Sequence, residues 1–375
     1  MDIAIWILLA TLFLAFANGA NDNFKGVATL YGSRTLSKRA ALIWATVTTL
    51  AGSLTAAWFA TELARLFSGK GLVPDALVVD PAFMLAVVLG AAITVFVAAR
   101  LGIPISTTHG LTGALVGAGL VATAGNIHGG ALLHSFFLPL LASPFIAFAL
   151  AFLFYRLLSV SRKYFGISKQ MCVCIGQRAP IPAPDGVAAL TASMPELIVD
   201  DKEACETRNI EIYQGRMIGL NVQKLIEGLH ILSSGAVSFA RGLNDTPKIV
   251  GIAMAASLLD LPGLTFLAAA AMAVGGLISS LRIADTMSDN ITDIQHGQGL
   301  AANLVTSFLV LFASKWGVPV STTHVSCGAI FGIGASNGIH NPATNWRLVR
   351  DIFLAWIATL PLAACFAALI YLIAR

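Results

Sequence analysis

The sequence predicts an all-α polytopic membrane protein made of two inverted-topology repeats of about five transmembrane crossings each, with broken helices at a shared site. Three observations predict it. Of 375 residues, 57% are hydrophobic and only 11% charged, where soluble domains carry roughly a quarter charged residues. Several apolar runs reach the ~20 residues needed to cross a bilayer core. Two polar elements also recur inside those runs, in the same order. Phe16-Ala17-Asn18-Gly19-Ala20-Asn21-Asp22 returns 223 positions later as Phe239-Ala240-Arg241-Gly242-Leu243-Asn244-Asp245, and Gly102-Ile103-Pro104-Ile105-Ser106-Thr107-Thr108-His109 returns 215 positions later as Gly317-Val318-Pro319-Val320-Ser321-Thr322-Thr323-His324.

The apolar runs place a broken first span at 3–31, then spans at 40–60, 82–99, 103–121 and 131–155. The second half repeats them at 228–257, 264–281, 300–313, 318–336 and 352–374. An odd number of crossings per half makes the halves enter the membrane in opposite senses. The N-terminal run is expected to be a retained span and not a signal peptide, because Asp2 precedes it with no Lys or Arg. The domains are then a membrane repeat over 1–158, a linker over 159–215 and a second membrane repeat over 216–375. With Pro180, Pro182, Pro184 and Pro195 among scattered charges, the linker reads as a solvated connector. A short polar helix is expected from Asp200 to Arg216.

Orientation follows from charge. Arg34, Lys38 and Arg39, the basic residues flanking the fifth span, and Arg347 with Arg350 all fall on one side if the N-terminus is outside. The positive-inside rule makes that side cytoplasmic, so both termini are external and the linker is cytoplasmic. Arg65, Lys70 and Lys315 run against the bias. The net charge of +4 is spread over loops, which argues against a nucleic-acid partner. Five cysteines, including Cys172-x-Cys174, make no disulfide framework and read as unpaired thiols, since no second pair completes a zinc site.

The duplicated elements carry the chemistry. Asn21-Asp22 and Asn244-Asp245 put ionisable groups at membrane depth, at a cost of at least ~2.5 kcal/mol each. Gly19 and Gly242 are expected to let the helix break, exposing carbonyls and half-helix ends that suit a cation. The alternative is that each Asp caps the next half-helix. In the other element, proline favours a helix start, so three hydroxyls and free N–H groups ring the positive end of a dipole. Ser106, Thr107 and Thr108 form one such anion cup, and Ser321, Thr322 and Thr323 the other. The alternative is ordinary interhelical bonding by Ser and Thr. His109 and His324 either relay protons or simply satisfy a hydroxyl or carbonyl. Duplicated polar elements of this kind mark a secondary transporter with its site at the repeat interface.

The pairing of Gly-x-Asn-Asp with Pro-[Ile/Val]-Ser-Thr-Thr-His in both halves resembles the inorganic phosphate transporter (PiT) family. The stretch from Asp293 to Asn303 resembles that family as well. The resemblance implies a non-enzymatic secondary active transporter that imports inorganic phosphate by alternating access, coupled to a proton or sodium gradient. It implies an anion held by Ser106, Thr107, Thr108, Ser321, Thr322 and Thr323, with Asn21, Asp22, Asn244 and Asp245 serving the coupling cation. No cofactor or metal is expected beyond sodium at Asp22 and Asp245. The expected setting is a plasma membrane or bacterial inner membrane. The expected partners are phosphate or sulfate, the coupling cation and the lipid bilayer, and a homodimer is allowed.

One departure is symmetric. Where relatives continue with Asn, this chain has Lys25 and Lys248. Each ammonium can replace a bound cation, reach the anion as a point charge, or snorkel to an interface. The departure leaves a sulfate or other oxyanion permease as the alternative. Two other classes are weaker: an intramembrane hydrolase using Ser106 or Ser321 with the following His, and a passive anion channel.

Overall fold

The computed structural model describes residues 3–165, 171–177, 195–201, 218–256, 259–288, 295–336 and 346–375. They divide into two compact units, one of Met1–Tyr155 with His230–Arg375 and one of Arg156–Leu229. The second unit holds an antiparallel sheet of β1 (Met171–Gln177), β2 (Pro195–Asp201) and β3 (Ile218–Asn221), in the order β2-β1-β3. These strands lie within or just after the segment read as a linker, and add local structure that the sequence reading did not expect there. Cys172-Val173-Cys174-Ile175 and Leu197-Ile198-Val199 are short β-formers, too brief to stand out between prolines. Asp200 and Asp201 close β2; the rest of the expected polar helix lies outside the described residues, as do Asp293 and Ile294.

The main helices before the linker are α1 (Ile3–Asp22), α2 (Ala28–Gly32), α3 (Lys38–Phe59), α4 (Pro81–Leu101), α5 (Thr107–Ala122) and α6 (Leu138–Tyr164). After the linker come α7 (Val222–Ala253), α8 (Leu261–Ser279), α9 (Leu281–Ser288), α10 (His296–Lys315), α11 (Thr322–Ser336) and α12 (Trp346–Ala374). Local chemistry sets the ends. Ser37, Asp80 and Asp260 cap α3, α4 and α8 by accepting backbone N–H bonds. Gly102 and Gly317 adopt φ of 73° and 67°, and Ile103 N–H bonds Ala98 O at 3.0 Å as Val318 N–H bonds Ala313 O at 2.9 Å. Both are left-handed helix stops. The Gly-x-Pro element is therefore a helix stop, an extended link and a fresh helix start.

Among the described residues, seven helical segments are long and apolar enough to cross a membrane: Ile3–Gly32, Lys38–Phe59, Pro81–Leu101, Gly129–Ser161, Leu261–Ser279, His296–Lys315 and Trp346–Ala374. The three expected spans that do not qualify carry the motifs. α5 and α11 have 16 and 15 residues, so at 1.5 Å per residue each covers about 24 Å or less, short of a ~30 Å core. α7 is long enough, but it carries His230, Ser234, Arg241, Asn244, Asp245 and Lys248, all buried. Polarity is inside: Arg241 and Lys248 are each 1% exposed, while Leu141 and Ile357 on the outside are 63% and 69% exposed. An apolar exterior around buried charge suits lipid, not water.

The expected breaks at Gly19 and Gly242 do not occur. α1 stays helical to Asp22 and then tightens into a 3-10 turn over Asn23–Val27, whereas α7 runs unbroken through Gly242 and Pro247. Close packing is what these glycines permit. A Cβ on Gly19 would fall on the Met272 carbonyl of α8, and one on Gly242 on the Thr49 carbonyl of α3. The same 223-residue step that maps Gly19 to Gly242 maps Thr49 to Met272. Gly275 against Phe16 and Gly52 against Phe239 obey it too. Likewise Gly113 and Gly117 of α5 close on Leu360 and Ala364, and Gly328 and Gly332 of α11 on Pro144 and Phe148. Each half packs its small residues on the other half's helices, reciprocally.

Candidate functional site

Where α1 ends and its 3-10 turn begins, Asp22 and Lys25 face the link that precedes α5. Lys25 Nζ contacts Asp22 Oδ1 and donates to Asn21 Oδ1 at 2.7 Å, Ile105 O at 2.6 Å and Thr323 Oγ1 at 2.8 Å. In the other half Asp245 and Lys248, three apart on α7, share a helix face. Lys248 Nζ donates to Thr108 Oγ1 at 2.9 Å and Val320 O at 2.6 Å, and lies 3.7 Å from Asp245 Oδ1. Ile105 and Val320, and Thr323 and Thr108, are the matching positions of the two motifs. With 4% and 1% exposure, neither lysine snorkels.

The first turns of α5 and α11 interlock across the halves. Thr108 Oγ1 donates to Val320 O at 3.3 Å and Thr323 Oγ1 to Ile105 O at 3.0 Å. Thr107 Oγ1 donates to Asp22 Oδ2 at 3.0 Å, and Thr322 Oγ1 to Asp245 Oδ2 at 3.5 Å. Ser106 and Ser321 act as N-caps, accepting the His109 and His324 N–H at 3.1 and 3.2 Å. Asp22 makes no capping bond, and Asp245 lies within α7, so the capping alternative for these carboxylates does not hold. The asparagines hold the geometry. Asn21 Nδ2 donates to Ile103 O at 3.0 Å; Asn244 Nδ2 donates to Asp245 Oδ1 at 2.9 Å, and its Oδ1 accepts from Ser314 at 3.2 Å.

The motif histidines meet each other, with ring centroids 4.3 Å apart and planes at 86°. His109 Nδ1 is 3.3 Å from Trp356 O, and His324 Nδ1 is 3.5 Å from Leu140 O. One ring nitrogen of each is thus engaged with a carbonyl of another helix, not with a serine. That leaves no serine–histidine pair to support the hydrolase alternative.

The structure thus buries every sequence-predicted site residue and joins all of them into one network except Ser106 and Ser321, whose hydroxyls cap their own helices. Sequence reasoning missed Asn18 and Arg241, and with them the Asn23, Thr49 and Ser314 side chains bonded to the network. Asn18 Nδ2 lies 2.8 Å from Asp22 Oδ2, 3.3 Å from Asp245 Oδ2 and 3.0 Å from Thr107 Oγ1, so one amide bridges both carboxylates. Arg241, 1% exposed, donates to Asn18 Oδ1 and Asn23 Oδ1 at 3.1 Å each and to Thr49 Oγ1 at 2.9 Å. The signal was available: Asn18 and Arg241 fill one motif position in the two copies.

A multi-pass helical bundle that buries paired charges and hydroxyls between two like halves defines a membrane transporter. The phosphate transporter family model matches residues 18–367, and the chain belongs to that family. It is 29% identical to a Rhizobium meliloti protein named "probable low-affinity inorganic phosphate transporter", over 98% of this chain and 95% of that one. It is 26% identical to the chloroplastic inorganic phosphate transporter 2-1 of Arabidopsis thaliana, over 96% of this chain and 70% of that one. A solved structure titled the sodium-dependent phosphate transporter shares the fold, with a TM-score of 0.76 at 21% identity, covering 100% of this chain and 99% of that chain.

Proposed function

We propose that this chain imports inorganic phosphate across a plasma or bacterial inner membrane by alternating access, driven by a proton or sodium gradient. The anion binds between Ser106, Thr107 and Thr108 of one half and Ser321, Thr322 and Thr323 of the other, with Asp22, Asp245, Lys25 and Lys248 around it. One observation carries the reading: Thr108 bonds Val320 O while Thr323 bonds Ile105 O. Each cup is latched by the other half's link. A relative movement of the halves releases both hydroxyls together and presents them to an anion. Family membership and the names of the relatives support phosphate as the cargo. The reciprocal glycine contacts support a two-fold relation between the halves; an odd number of crossings per half makes that relation inverted in the bilayer, and the basic loop residues put the termini outside and the linker in the cytoplasm.

Sulfate is the second reading. Three cationic side chains, Lys25, Lys248 and Arg241, face two carboxylates, Asp22 and Asp245, in this network, and a net cationic site holds either tetrahedral oxyanion. Uptake of labelled phosphate into proteoliposomes under an imposed proton gradient, a sodium gradient or none, with sulfate as competitor, tests both. Saturable phosphate uptake that resists excess sulfate supports phosphate. Sulfate uptake with no phosphate uptake replaces the cargo, and flux of either ion that ignores every gradient rules out coupling.

A further inference from the structure

We propose that this transporter carries its coupling-site cations covalently: the ammonium groups of Lys25 and Lys248 fill two oxygen cages of the kind an alkali ion takes, and transport does not use sodium. This rests on the reading of the site as an oxyanion path. Lys25 Nζ is enclosed by a carboxylate oxygen of Asp22, the amide oxygen of Asn21, the backbone oxygen of Ile105 and the hydroxyl of Thr323. Four oxygens surround a group that has only three protons to donate. The shell is therefore one shaped for a small cation, not for three directed bonds. Its members come from α1, the link before α5 and the first turn of α11, so it ties the two halves together. Lys248 stands in a looser counterpart of that shell, bonded to Thr108 and Val320 O with Asp245 Oδ1 at 3.7 Å, while the Asn244 amide oxygen is taken by Ser314.

A lysine reaching out by chance toward lipid headgroups would not bond the matching threonine hydroxyl and link carbonyl in both copies, the hydroxyl coming from the opposite half each time. Nor would it be 4% or 1% exposed. A sodium ion entering either shell would share its oxygens with a full positive charge at contact distance, which is repulsive at any dielectric. Arg241 adds a third fixed cation beside Asn18, the amide that bridges Asp22 and Asp245. With all five side chains ionised the cluster bears one net positive charge. The arriving anion, not a co-bound cation, then completes its charge balance.

The test uses the full-length chain in two measurements. The first is labelled phosphate and sulfate uptake into proteoliposomes in sodium or choline salts of equal ionic strength. The second is the thermal unfolding midpoint in detergent, titrated with sodium chloride against choline chloride. The expected results are uptake rates within twofold of each other in the two salts, and no saturable sodium-specific shift in midpoint. The double variant Lys25→Asn, Lys248→Asn, whose emptied shells offer oxygen ligands, should gain a saturable stabilisation by sodium whether or not it transports. Tenfold or greater activation of wild-type uptake by sodium, or a saturable sodium shift in the wild-type midpoint, overturns the proposal. A folded double variant that binds no sodium overturns the cage assignment. If the double variant does not fold, the wild-type measurements decide. Absence of all uptake counts against the transport reading alone, and the unfolding measurement still settles the cages.

Discussion

Asn18 and Arg241 hold the same position in the two copies of one motif, and they are bonded to each other, Arg241 Nη1 donating to Asn18 Oδ1 at 3.1 Å. The duplication is therefore broken where its copies meet. One copy supplies an amide that bridges the two carboxylates; the other supplies a cation that fixes that amide. Arg241→Gln should leave Asn18, Asn23 or Thr49 short of a donor. At about 1–3 kcal/mol for an unmet buried group, the cost is about 3 kcal/mol of stability, together with loss of uptake. Thermal unfolding in detergent checks the first and proteoliposome flux the second. A variant with wild-type midpoint and wild-type flux would remove Arg241 from the site.

Glycine packing gives a cleaner stability test. Gly19→Ala and Gly242→Ala each drive a methyl into a backbone carbonyl of the opposite half. Overpacking of this kind costs roughly 1–3 kcal/mol, and more where backbone must move. Gly129→Ala has nothing within 4 Å and serves as the control. Equal midpoints for all three variants would mean that the helices are not seated this closely.

How far the sequence foretold these features depends on which signal each one leaves. The ten apolar runs correspond to helices because lipid-facing positions and positions packed between helices are both apolar, the second case being α5 and α11. The hydroxyls, carboxylates and lysines stood out because they recur at fixed spacing. Gly19 and Gly242 were misassigned as breakers, since nothing local distinguishes a glycine that frees a helix from one that admits a neighbour's backbone. Only the three-dimensional pairing with Met272 and Thr49 does so. β1 and β2, at seven residues each, owe their pairing to partners far along the chain, which periodicity cannot reveal. Arg241 was overlooked because a repeat draws attention to what matches, whereas its significance lies in a mismatch.

The hydroxyl cups make a functional prediction. Thr107→Ala with Thr322→Ala should abolish uptake. It should also cost about 1 kcal/mol per site in stability, because Asp22 and Asp245 each lose one donor. Either single change should weaken apparent affinity by about tenfold, as for one hydrogen bond to a charged group. Concentration series of labelled phosphate measure both. Wild-type kinetics in the double variant would sink the assignment of these hydroxyls to the anion.

Orientation can be read by thiol labelling. On a background lacking the five native cysteines, single cysteines at Asp2, within 61–80 and at Arg375 should react with an impermeant reagent added outside. One at Asp185 should stay protected. The reverse pattern would place the linker outside and discard the charge-bias argument.

The two ion pairs should respond unequally to mutation. Lys25 is in direct contact with Asp22, whereas Lys248 stands 3.7 Å from Asp245 and is held mainly by Val320 O and Thr108. Removing one partner of a buried pair strands a charge in a low-dielectric interior, at a cost of about 3–5 kcal/mol. Lys25→Asn alone should therefore fall in that range. The double change Lys25→Asn, Asp22→Asn should recover much of the loss, since neither member of that pair is left charged without the other. Both carboxylates keep the Asn18 amide, but Asp245 starts 3.7 Å from its lysine and is also held by the Asn244 amide, so Lys248→Asn should cost less, and its paired change should recover less. A double-mutant cycle on each pair, read from unfolding midpoints in detergent, gives two coupling energies directly. Equal couplings would mean that the 3.7 Å separation closes in the membrane. A larger coupling for Lys248 and Asp245 would reverse the order of the pairs and assign the tighter cation shell to the second half.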